Sequence, residues 1–158
     1  MLKLVRRRSV GIVSHYLATV ATDWPADRAF AYLSDLEHFA DWDPGVKRAE
    51  QVEGTEPALG AAYDVTVSGV GRDLVLRYVV IELDPGHRIT VEAETSTLVS
   101  HDVIMVEPTA TGSLVTYDAS LDLKGVARIG SPLLALAFRR IGDRAADGLR
   151  RALHTSIA

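Results

Sequence analysis

Most of the chain between residues 14 and 124 alternates apolar and polar positions with period two, and its last quarter changes to the period of a helix. "SHYLATVAT" (14–22) alternates as a first strand and runs straight into "DWPADRAFAYLSD". There Pro25 suits a first helical position, where its missing N–H costs nothing. Asp27 favours the dipole of the first turn, and Ala29, Phe30 and Leu33 supply a short apolar face. Asp35 caps a second short helix, "LEHFADW", which ends before Pro44.

Six further strands follow from Val46 to Lys124. "VKRAEQVEG" is the first of them. "AAYDVTVSG" turns Tyr63, Val65 and Val67 inward, and "SGVGRD" is a turn. "DLVLRYVVIEL" is apolar on both faces; placing Arg77 in water sends Leu74, Leu76, Tyr78 and Val80 inside. After the turn "DPGH", "RITVEAET" buries Ile89, Val91 and Ala93. "STLVSHDVIMVEP" divides into Val99, His101, Val103 and Met105 on one side and Asp102, Ile104 and Val106 on the other. The expectation is that the first set, with His101, faces inward. "SLVTYDASLDLKG" places Val115, Tyr117, Ala119, Leu121 and Leu123 inside. Strands joined by short turns make an antiparallel meander with one apolar face.

The helical period spans roughly Ser131 to His154, with Pro132 near its first turn and Leu134, Phe138, Ile141, Ala145 and Leu149 as its stripe. Arg139, Asp143, Asp147 and Arg151 follow four apart on the other face, a spacing that allows alternating ion pairs on a solvated surface. A sheet with one apolar face and a helix with one apolar stripe must bury each other. A twisted sheet of seven strands curls, and a helix laid across its hollow side is expected to leave a cavity.

Composition narrows the function classes. A chain of 158 residues is most simply one domain. Its net charge of −4 argues against a dedicated nucleic-acid binder. The absence of cysteine removes disulfides, thiolate metal sites and cysteine nucleophiles. The start, "MLKLVRRRSVGIVSHYLATVA", has the basic and apolar segments of a secretory signal, but His15 and Tyr16 interrupt the apolar run. A basic extension over residues 1–13, with Arg6, Arg7 and Arg8 as a solvated tail, and one domain over 14–158 are the preferred division, which gives a cytoplasmic expectation. No apolar run reaches the ~20 residues that span a bilayer.

The element order and turn positions resemble the START/Bet v 1-like superfamily (SRPBCC), and within it the polyketide cyclase/dehydrase and lipid-transport group. The carriers are "WPADRAFAYLSDLEHFADWDPGV", "YVVIELDPGHRITVEAE", "GSLVTYDASLDLKG" and "SPLLALAFRRIGDRAADGLRRAL". The resemblance implies an α+β helix-grip fold: a seven-stranded curved antiparallel sheet around a long C-terminal helix, with two short helices after the first strand. It also implies a hydrophobic ligand between sheet and helix.

The inward polar tips are then Tyr63, Tyr78, His101 and Tyr117, each needing a partner or a guest. Val65, Leu76, Val91, Val103 and Phe138 are the expected apolar lining, with Trp42 either at the entrance or plugging the core. Three functions fit. The first is binding of a small hydrophobic molecule such as a lipid or polyketide. The second is a polyketide cyclase/dehydratase-type reaction with His101 and Tyr78 as acid–base and polarising groups. The third is a protein-interaction module with a vestigial cavity. The five histidines have no ligand spacing and no metal or cofactor is expected, while an exposed edge strand could pair in a homodimer.

Overall fold

The computed structural model describes residues 13–69, 71–125 and 131–154, with side chains from residue 14 and, in the last segment, from residue 136. The Arg6–Arg8 cluster, and the side chains of Pro132 and Leu134, lie outside the described residues.

Strand β1 (Val13–Thr22) leads into α1 (Ala26–Ser34), a single 3-10 turn (Leu36–His38) and α2 (Phe39–Trp42). Pro25 stands one position earlier than expected: its backbone is extended, with ψ of 147°, and the helix begins at Ala26. Asp35 caps the 3-10 turn by accepting the Glu37 N–H at 3.0 Å. Ala29, Phe30 and Leu33 bury the face that the spacing marked.

The meander consists of β2 (Val46–Glu53), β3 (Ala62–Ser68), β4 (Asp73–Asp84), β5 (Arg88–Glu94), β6 (Leu98–Thr109) and β7 (Gly112–Leu123). All seven strands form one antiparallel sheet in the order β1-β7-β6-β5-β4-β3-β2, so β1 closes onto the last strand and β1 and β2 are its edges. Register shifts in β2 and between Val80 and Glu82 of β4 mark where an extra residue bends a strand, which increases local twist and curvature.

Helix α3 (Ser131–His154) has the expected bounds. It packs along β1 and against α2 through small residues. A Cβ at Gly142 would overlap the Tyr16 ring, and one at Gly148 would overlap the Trp42 carbonyl. The buried stripe is accordingly Gly142, Ala145, Ala146, Gly148, Leu149 and Leu153. Ile141, expected on that stripe, is 46% exposed, because the close approach is made by the glycines and alanines beside it. The Thr22 hydroxyl donates to the Leu153 carbonyl at 2.8 Å and ties the helix C-terminus to the end of β1. Among the described residues no helix is long and apolar enough to cross a membrane.

Candidate functional site

Direct cross-strand partners share a face of a sheet, so the register decides which side chains meet. On the face that forms the core, Ser100 lies opposite Ala93, and Ala93 opposite Tyr78. Ala93 is fully buried and leaves room above it. The Tyr78 phenol crosses β5 in that room and donates to Ser100 Oγ at 2.9 Å. One row further along, Asp102 lies between Val91 and Ala119. Tyr117 follows opposite Ile104, and the Trp42 ring meets it edge-on at 5.4 Å.

The inward set on β6 is therefore Ser100, Asp102, Ile104 and Val106, all buried. This inverts the expectation for that strand. His101 lies on the opposite face, where its Nδ1 is 3.3 Å from Glu92 and Ser120 is its neighbour on β7. Val103 shares that outer side; it is buried but lies outside the core cluster. The other expected lining residues are on the inner side. Trp42, Val91 and Tyr117 border the cavity described below. Tyr63, Val65, Leu76 and Tyr78 are core residues away from that border, and Phe138 packs partly buried against the core. The Tyr63 hydroxyl is buried without a partner, on the side of Asp35 and Glu37.

Leu36, Phe39 and Trp42 on one side, and Ile89, Val91, Asp102, Ile104 and Tyr117 on the other, enclose a cavity of about 10 Å³. That is room for roughly one water molecule. The Phe39 ring fills much of the intervening space, 4.7 Å from Trp42 and 6.3 Å from Tyr78. Side chains thus occupy most of the hollow that a curled sheet was expected to leave.

The polar chemistry of this interior is carboxylic. Asp43 and Asp102 are the only charged side chains buried among the described residues, and no buried base accompanies them. Burial pushes the Asp102 carboxyl up to about 7, and the Asp43 charge pushes it the same way; hydrogen bonding from Tyr117, Ser100 and Tyr78 opposes this. Burial raises Asp43 to about 6, opposed by the Gly45 N–H, which donates to its Oδ1 at 2.8 Å. Tyr78 and Tyr117 are pushed well above the ordinary phenol range by burial and by Asp102, and remain neutral donors. A neutral Asp102 can donate a hydrogen bond, and an ionised one can accept a proton. Among the described residues no group of three or more histidine and acidic side chains could hold a metal ion.

The sequence places Asp43 beside Trp42 near the expected cavity mouth but gives it no role, and it does not mark Asp102, Ser100, Leu36 or Phe39 as site residues. A signal for Asp102 was available: the tight turn between β6 and β7 pairs Thr109 with Gly112, which puts Asp102 opposite the inward Ala119. Nothing comparable points to Leu36 or Phe39, whose placement follows from how the short helices fold back over the sheet.

A curved seven-stranded sheet gripping a C-terminal helix, with two short helices after the first strand, defines the helix-grip proteins of the START/Bet v 1 superfamily. Within that class, the chain belongs to the polyketide cyclase / dehydrase and lipid transport family, whose profile matches residues 16–154. Solved structures agree on the fold. A START superfamily protein from Mycobacterium smegmatis superposes with a TM-score of 0.70 at 15% identity, over 89% of this chain and 96% of that one. The Zhui aromatase/cyclase from Streptomyces sp. R1128 gives 0.70 at 16% identity, over 89% and 93%. The di-domain ARO/CYC StfQ from the steffimycin biosynthetic pathway gives 0.67 at 18% identity; the match covers 89% of this chain and half of the di-domain protein. No curated protein sequence matches significantly.

Proposed function

We propose that the chain binds a small, largely apolar molecule whose one polar group meets Asp102 and Tyr117. The observation that carries this reading is the Asp102 carboxyl, buried at the edge of an apolar cavity with no buried cation to balance it. Burying a carboxylate with no cation beside it opposes folding, and groups displaced in pKa by burial concentrate where ligands bind. A hydroxyl or carbonyl on the guest would join the hydrogen bonds that Tyr117, Ser100 and Tyr78 already make to this acid, donating to its ionised form or accepting from its neutral one. Family membership supports the same reading.

A guest larger than water requires Phe39 and Trp42 to move outward. These residues sit on a four-residue helix preceded by one 3-10 turn, a short segment that packs against α3 and β2. Binding should therefore be read at Trp42. In a Trp24→Phe background Trp42 is the remaining tryptophan, and titration with 2-naphthol should change its fluorescence saturably. Native mass spectrometry of the purified protein should show a copurified small molecule. No saturable change with any apolar alcohol or ketone, together with a mass equal to that of the bare chain, would favour the interaction-module reading with a vestigial cavity.

One observation favours a catalytic version of the same site. A carboxyl titrating at about 7 beside two neutral phenols can exchange a proton with a carbon acid while a phenol polarises its carbonyl. The acid–base role first considered for His101 and Tyr78 then falls to Asp102 with Tyr117. Turnover abolished by Asp102→Asn with ligand affinity preserved would support it.

A further inference from the structure

The cavity wall that carries Leu36, Phe39 and Trp42 is tied differently on its two sides. Toward α3 and β2 the ties involve backbone. The Trp42 carbonyl lies against Gly148, and the Gln51 N–H of β2 donates to Glu37 Oε1 at 3.0 Å. Toward α1 the one hydrogen bond among the described residues joins two side chains: the Tyr32 hydroxyl donates to Asp41 Oδ2 at 3.2 Å. His38 Nδ1 lies 3.1 Å from the same oxygen, and the His38 ring stacks on Tyr32 with centroids 4.5 Å apart. Burial and the Asp41 charge push the Tyr32 phenol up to about 12, so it stays a neutral donor.

The Tyr32 end of this contact is anchored. Its ring meets Trp24 edge-on at 5.6 Å, and the Arg28 guanidinium lies over Trp24 at 3.8 Å. Trp24 is fixed in turn: its N–H donates to Thr22 Oγ1 at 3.2 Å, and its carbonyl accepts from Ser113 Oγ at 2.8 Å. Helix α1 itself packs on β6 and β7. The Asp41 end is exposed and stands on the segment that carries Phe39 and Trp42. Outward movement of that segment draws Asp41 and His38 away from Tyr32. A guest larger than water needs such a movement, so the contact exists with the wall closed and is lost with the guest in place. A contact made in one state only biases the equilibrium against the other. We propose that Tyr32 and Asp41 form a clasp that holds the Leu36–Trp42 wall shut and so limits admission of a guest to Asp102 and Tyr117, an inference that rests on the functional reading above.

The test is made in the Trp24→Phe background, where an aromatic ring still meets Tyr32 and Trp42 reports alone. Tyr32→Phe keeps both ring contacts and loses the hydroxyl, so circular dichroism should show unchanged folding. Acrylamide quenching of Trp42, measured without a guest, should rise in Tyr32→Phe and in Asp41→Ala. Asp41→Asn, which keeps an oxygen for the Tyr32 hydroxyl, should restore most of the protection. Because the clasp is broken in the bound state, Tyr32→Phe should tighten 2-naphthol binding by roughly fivefold, the worth of one modest hydrogen bond. Arg77→Gln is the control: it removes an exposed pair with Asp64, 2.8 Å long, on the far face of the sheet, and should leave quenching as it was. Quenching unchanged in both Tyr32→Phe and Asp41→Ala, an equal rise in Arg77→Gln, or weaker 2-naphthol binding in Tyr32→Phe would each overturn the proposal. Absence of 2-naphthol binding in every one of these proteins would instead count against the functional reading, and the guest-free quenching would still decide the clasp.

Discussion

Gly148 of α3 lies against the carbonyl of Trp42 so closely that no side chain could stand between them. The contact sets the height of the helix above α2, and with it the position of the Trp42 ring over Tyr117. The obstructing atom is backbone, which cannot rotate away. Gly148→Ala should therefore cost about 2–3 kcal/mol, as overpacking typically does, and lower the melting temperature by roughly 5–10 °C. Gly71→Ala, where added bulk meets nothing but the backbone φ is 79°, gives the scale for pure backbone strain. A melting temperature unchanged by Gly148→Ala would mean that α3 is not seated at this height.

The two buried acids predict an unusual pH profile. Both hold protons more tightly in the folded chain than in the unfolded one, since burial raises Asp43 to about 6 and Asp102 to about 7. Their contribution to stability is complete below the ordinary carboxylate range near pH 4 and is lost as pH rises to about 7. For one such group the slope is about 1.4 kcal/mol per pH unit between the two pKa values. Asp102→Asn should flatten the profile between about pH 6 and 7 and leave a slope below pH 6 that belongs to Asp43. Urea unfolding of both proteins from pH 4 to 8 measures this. A wild-type profile that matches the Asp102→Asn profile throughout would show that Asp102 is ionised without penalty.

His101 supplies a contrasting prediction. Its ring meets Glu92 on the outer face, and both side chains keep about a third of their surface in water. His101→Ala should cost less than about 1 kcal/mol, the usual worth of an exposed pair. It should leave 2-naphthol binding and any turnover unchanged. Loss of either would place the functional site on the outer face of the sheet.

The reversal at His101 shows where the pattern of the chain was readable. The element order, the meander and the α3 bounds follow from period-two and period-3.6 runs bounded by strong turns. β6 was harder because Val99, Val103 and Met105 compete with Ile104 and Val106, so hydrophobicity alone cannot choose its face. Burying an acid also costs free energy, so nothing in the alternation points to Asp102 as an inward residue. The register across the β6–β7 turn resolves it: with Tyr117 inward, Ile104 opposite it must be inward too. The cavity wall formed by Leu36, Phe39 and Trp42 depends on long-range packing of a short segment, which local periodicity does not encode.

Tyr117 ties the site together, since its phenol acts on the Asp102 carboxyl while its ring carries Trp42. The hydrogen bond favours the ionised acid, so Tyr117→Phe removes a group that lowers the Asp102 pKa. The acid should then titrate above about 7, read from the carboxyl carbon shift in an NMR titration. Phe keeps the aromatic contact with Trp42, so the fold should hold. A guest oxygen held jointly by Asp102 and Tyr117 would lose one of its two partners, and 2-naphthol affinity should fall by roughly tenfold, the worth of one buried hydrogen bond. Tyr78→Phe is the internal control. Its phenol also lowers the Asp102 pKa, but its close bond is to Ser100, away from the cavity border. It should raise the Asp102 pKa with a smaller effect on binding. Equal losses of affinity in the two variants would place the guest across the row of Ser100, Ala93 and Tyr78 instead of against Tyr117.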